Sequence, residues 1–135
     1  MAAYNNDPRV SCGDLTDYAR DWFRETYGEE FDGTIELKNR RWKTTFARIR
    51  LFHDKRPPTI TFCTAKNAER PGRDAVIKTL KHELVHWWLF KNDKPFDDTD
   101  RCFIEECARV GATVSNRKDV LAVAAKYNIE VEVSQ

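Results

Sequence analysis

Histidine is scarce in this chain, with three among 135 residues, and two of the three stand in one five-residue stretch. The four cysteines, Cys12, Cys63, Cys102 and Cys107, form no C-x-x-C pair, which argues against a zinc ribbon. No apolar run approaches the ~20 residues needed to cross a bilayer. The opening Met-Ala-Ala-Tyr-Asn-Asn-Asp lacks the basic start and apolar block of a secretory signal. The expected location is therefore cytoplasmic, with the cysteines as reduced thiols. Internal repeats and low-complexity segments are also missing. What remains is a folding sequence: 41% hydrophobic and 12% aromatic, with four tryptophans. That composition excludes a disordered chain, and the length suits one domain spanning residues 1–135.

The two clustered histidines lie in His82-Glu83-Leu84-Val85-His86. In a helix, His82 and His86 are i and i+4, on one face and a turn apart, close enough to share a metal ion. Glu83 projects from the same turn, where it can act as base toward a water on that metal. The flanks predict the helix. Ala75, Val76, Ile77, Leu80, Leu84 and Trp88 recur at helical spacing. Asp74 is the expected cap, Pro71-Gly72 the breaker before it, and Phe90 the last residue.

Elsewhere the periodicity predicts a helix over 14–28 ended by Gly28, a strand through Ile35 and Leu37, and a second strand over 44–52. A third strand is expected over 59–63 after Pro57-Pro58. Helices follow over 101–112 and 117–127, with a short terminal strand over 129–133. The order predicts an α+β domain with a small three-stranded antiparallel sheet beneath the metal helix.

Residues 38–56 are strongly basic. Lys38, Arg40, Arg41, Lys43, Arg48, Arg50, Lys55 and Arg56 face a single acid, Asp54, and Trp42, Phe46 and Phe52 are interleaved among them. As a hairpin, this stretch would put Ala47, Ile49 and Leu51 on a core side and Arg48 and Arg50 on the other. The outer side suits a phosphate backbone with unpaired bases stacked on aromatics, so Arg40, Arg41, Trp42, Lys43, Arg48 and Arg50 are candidate nucleic-acid contacts.

Ile35-Glu36-Leu37-Lys38-Asn39-Arg40, then Lys43-Thr44 and Ala47-Arg48, then Leu80-Lys81-His82-Glu83-Leu84-Val85-His86, resemble the SprT-like domain over roughly residues 14 to 114. This is the metallopeptidase domain shared by Spartan-type DNA–protein crosslink proteases. The resemblance implies a zincin-like fold, a Zn²⁺ cofactor held by His82 and His86, and Glu83 as the catalytic base. It also implies a substrate protein attached to DNA, with the basic hairpin facing that DNA. A single domain without a C-terminal zinc ribbon is similar to phage-encoded members, which would work in the host cytoplasm.

The family pattern places a third histidine in an H-G-x-x-F motif opening the next helix. Phe103 fits the aromatic position here, and Thr99 falls where the histidine would be. His53 lies in the hairpin, which supplies no ligand in the family. A catalytic zinc takes three protein ligands plus water, so a carboxylate is the expected substitute. Asp100 is preferred because it opens the helix, although aspartate is also a normal N-cap there. Glu106, Asp98 and Cys102 are the alternatives. The missing histidine also admits a different class of function, a non-catalytic DNA- or protein-binding module. A third possibility is a hydrolase of some non-protein substrate.

Overall fold

The computed structural model describes residues 11–70 and 72–134. The N-terminal stretch read for a signal, Pro71 and Gln135 lie outside the described residues. The first helix, α1, runs Cys12–Tyr27, with Ser11 Oγ accepting the Asp14 N–H at 3.1 Å at its start. Gly28 ends it in the left-handed region at φ 69°, returning its N–H to the Arg24 carbonyl at 2.8 Å. Leu15, Ala19 and Phe23, spaced four apart, form its buried stripe.

Three strands follow: β1 at Thr34–Lys38, β2 at Ala47–Arg50 and β3 at Thr59–Cys63. Their order is β1-β3-β2, with β1 parallel and β2 antiparallel to β3. The sheet is therefore mixed, which corrects the antiparallel expectation, and residues 38–56 are not a hairpin. Composition accounts for the order. β3 is the most apolar strand, burying Ile60, Phe62 and Cys63, and takes the centre, where both its edges are paired. The arginine-bearing β2 goes to the edge, where charge discourages pairing with other chains. Once β2 lies beyond β3, the chain from β1 to β3 is a crossover, and a crossover permits parallel pairing.

A short helix, α2 (Thr64–Asn67), leads into α3 (Arg73–Lys91), which carries both clustered histidines. Gly72 holds the N-cap position of α3, and Asp74, the expected cap, sits within the first turn. The remaining elements are α4 (Arg101–Val110), β4 (Thr113–Val114), α5 (Lys118–Lys126) and β5 (Glu132–Val133). Gly111 closes α4 at φ 76°, and β4 pairs with β5 in a second, parallel ladder.

α3 is the axis of the molecule. Val76, Ile77, Leu80, Leu84 and Trp87 pack into a core with α1 and the three-stranded sheet. Val85 and Leu89 pack into a second core with α4, β4 and α5. A helix apolar on nearly all sides is one enclosed by other elements, so the polar groups it carries are held rigidly. Among the described residues, no helix is long and apolar enough to cross a membrane.

Candidate metal centre

His82 and His86 project from the same side of α3, their Nε2 atoms 3.2 Å apart. Each ring is oriented through its other nitrogen. His82 Nδ1 lies 2.6 Å from the Thr113 carbonyl on β4, and His86 Nδ1 meets the Phe96 carbonyl in the loop after α3. A carbonyl only accepts, so each Nδ1 carries a proton and each Nε2 is the nitrogen left for a metal ion or a further proton. Phe103 of α4 supports both rings, stacked on His86 at 4.0 Å and edge-on to His82 at 4.9 Å.

The third group is Asp98. Its Oδ1 stands 3.2 Å from His82 Nε2 and 3.1 Å from His86 Nε2. Asp100, the expected ligand, points elsewhere. It occupies the N-cap position of α4, but its Oδ2 accepts the Asp97 N–H at 2.8 Å, while its own N–H donates to the Asp97 carbonyl at 2.9 Å. Asp100 thus closes the tight turn that presents Asp98. Glu106 is also committed, accepting the Tyr27 hydroxyl at 2.7 Å and an Arg109 N–H at 2.9 Å. Burial opposes the Glu106 carboxylate, yet those bonds hold its pKa below the ordinary value. Cys102 is a half-buried free thiol whose pKa burial raises, and His53 is exposed on the loop after β2.

Three acceptor atoms converging within 3.1–3.2 Å repel one another unless positive charge lies among them. Protons supply it in part. Burial is the strongest influence on His82 and disfavours its imidazolium, but the hydrogen bonds to Asp98 and Cys107 and the nearby Glu83 charge together outweigh it and hold the pKa well above 6.5. Bonds from His82 first and then His86 hold Asp98 far below the ordinary carboxylate range. A divalent ion satisfies the arrangement better, because it engages all three lone pairs at once. Nitrogen and oxygen ligands about 2.0–2.1 Å from a tetrahedral zinc lie about 3.3–3.4 Å from one another. The observed 3.1–3.2 Å lies about 0.1–0.3 Å inside that spacing, so His82, His86 and Asp98 could hold a divalent ion of zinc's size with a small outward adjustment.

Glu83 belongs to the same group, since ligand-type atoms of His82, Glu83 and His86 lie within 4.8 Å of one another. It is 6% exposed, and burial raises its pKa while the two imidazoles pull the other way. Both it and the three converging groups line a cleft of about 740 Å³. β2 and the residues leading to it form one wall, the β4–α5 connection the other, and α3 the floor.

No protein-family model, curated protein or solved structure matches this chain. What the site can do therefore follows from its own residues. The predicted basic strip divides in two. Lys43 and Arg48 line the cleft, whereas Arg40, Arg41 and Arg50 are exposed outside its lining. Trp42 is half-buried, with the Arg48 guanidinium 4.5 Å from its ring centre, and Arg50 lies 5.1 Å from Phe52. Arg117, which the sequence reading passed over, lines the opposite wall 3.7 Å from Asp98 Oδ2. The only sequence signal for it was a cation just before the α5 periodicity.

Proposed function

We propose that this chain is a zinc-dependent endopeptidase of the SprT-like type, with a zincin-like arrangement of α3 and the sheet. The observation that carries the reading is the convergence of His82 Nε2, His86 Nε2 and Asp98 Oδ1 beside buried Glu83 at the floor of an open cleft. His82, His86 and Asp98 hold the metal, with Thr113, Phe96 and the Asp97–Asp100 turn fixing their orientation. A zinc ion held there supplies a Lewis acid that acidifies water and polarises a carbonyl.

Glu83 takes the proton of the attacking water and delivers it to the leaving amine. Its burial, which favours the neutral carboxyl, suits that exchange because the group must hold the proton between the two steps. β2 is an edge strand lining the cleft, so backbone groups not engaged with β3 are available to an extended peptide. Asp98 answers the absence of a third histidine, the feature that favoured a non-catalytic module. Further in the reading, the substrate is a protein associated with DNA in the cytoplasm, and exposed Arg40, Arg41 and Arg50 support contact with the nucleic acid.

The test is incubation of the zinc-loaded chain with a denatured protein, with and without single-stranded DNA. Cleavage that stops on chelation and returns with zinc is expected. A chain that holds zinc and cleaves nothing under either condition refutes the peptidase. Replacing Arg40 and Arg41 with alanine is expected to weaken DNA binding and flatten its salt dependence; unchanged affinity removes the DNA half.

A further inference from the structure

The cleft is charged unevenly. Among the described residues that line it, the carboxylates are Glu83 and Asp98, both at the metal centre, whereas its walls carry Lys43, Arg48, Lys66 and Arg117. Two of these cations have local partners: Lys66 lies 3.2 Å from Glu69, and Arg117 lies 2.6 Å from Asp119. Among the described residues, no carboxylate pairs with Lys43 or Arg48, and both are exposed. Cations without a carboxylate partner therefore stand on the β2 wall, and Arg117 faces them from the other.

We infer that the cleft selects acidic peptide segments, with Lys43 and Arg48 reading carboxylate side chains on one wall and Arg117 on the other. The inference rests on the peptidase reading for its substrate class. Two features favour a peptide over a nucleic acid. β2, paired only with β3, offers backbone hydrogen bonds that an extended peptide can complete and a nucleic acid cannot. Phe46, the aromatic in the lining, has the Arg70 guanidinium 3.8 Å from its ring centre, and Trp42 beside the cleft has the Arg48 guanidinium at 4.5 Å, so each already gives a cation a face that a base would need.

The experiment is fluorescence anisotropy on the zinc-loaded Glu83→Gln chain, which binds without turnover. The probes are acidic, neutral and basic peptides of equal length and a single-stranded oligonucleotide. The acidic peptide is expected to bind tightest. The Lys43→Glu/Arg48→Glu double variant should weaken it by about two- to thirty-fold, the span of two exposed ion pairs, and move the ranking toward the basic peptide. Arg20→Glu/Lys126→Glu makes the same charge change at exposed positions outside the cleft and should leave the ranking unchanged. The inference is overturned if the ranking ignores peptide charge, or if the two double variants act alike. It is equally overturned if the cleft variant loses oligonucleotide but keeps acidic peptide. Zinc binding and cleavage with no charge ranking sink this inference alone. A charge ranking in a chain that takes up no zinc sinks the peptidase and leaves the acidic-peptide cleft standing.

Discussion

Replacing Asp98 with alanine and, separately, Asp100 with alanine distinguishes the two carboxylates by what each one holds. Asp98 contributes one of three converging ligand atoms, 3.1–3.2 Å from the two imidazole nitrogens. Protein zinc sites bind with about 10–16 kcal/mol over four ligands, so one ligand carries about 2.5–4 kcal/mol. Losing it should raise the zinc Kd roughly 10²- to 10³-fold. Asp100 contributes one hydrogen bond to the turn, from the Asp97 N–H at 2.8 Å. Such a bond is worth about 0.5–1.5 kcal/mol, so Asp100→Ala should cost about tenfold at most. Asp98 keeps 33% of its side chain exposed, so its removal leaves no buried cavity and the variant should fold. Competition with a chromogenic chelator at neutral pH reads both constants. An Asp100→Ala variant that loses more zinc affinity than Asp98→Ala would refute the ligand assignment.

Two further outcomes follow from the same geometry. In the metal-free protein burial works against a proton on His82, but its hydrogen bonds to Asp98 and Cys107 and the Glu83 charge together raise the pKa well above 6.5, so zinc must displace a proton that those groups retain. Below that raised pKa, zinc competes with a bound proton; above it, the competition disappears and affinity levels off. Calorimetric titrations in buffers of different ionisation enthalpy should therefore show proton release near pH 7, and heats independent of the buffer would contradict it. Gly33 supplies the second. A Cβ there would stand 2.6 Å from Phe31 Cζ and 2.7 Å from the Pro58 carbonyl oxygen. That oxygen already accepts the Thr34 N–H at 2.9 Å, so it cannot retreat without loosening the start of β1. Gly33→Ala should cost about 1–3 kcal/mol and lower the melting temperature by several degrees; an unchanged melting curve would show the strand start to be looser than drawn.

Much of this architecture is legible in the sequence wherever a periodic stripe is long. Leu15, Ala19 and Phe23 mark α1, and the repeat from Val76 to Trp88 marks α3, because burial selects apolar residues at fixed spacing. Gly28 and Gly111 mark helix ends because each adopts positive φ. Strand order is not legible in that way. β1 and β2 alternate alike, and what sends β2 past β3 is competition for the centre of the sheet, a tertiary matter. α2 and β4 are four and two residues long, too short for any period to register. The same limit hid the third carboxylate. Asp97, Asp98 and Asp100 are equivalent by composition, and only the turn closed by Asp100 decides which of them faces His82 and His86. Arg117 approaches Asp98 from nearly twenty residues away, through packing that no local pattern encodes.

The most direct test of the proposed chemistry compares cleavage by the wild type and Glu83→Gln at matched zinc content. The substitution keeps the shape of a buried side chain and leaves His82, His86 and Asp98 in place, so one zinc per chain is expected in both. Cleavage should fall by about 10²- to 10⁴-fold, the usual contribution of a positioned general base. A fully zinc-loaded Glu83→Gln chain that cleaves at the wild-type rate would contradict the role assigned to Glu83, and with it the hydrolytic centre.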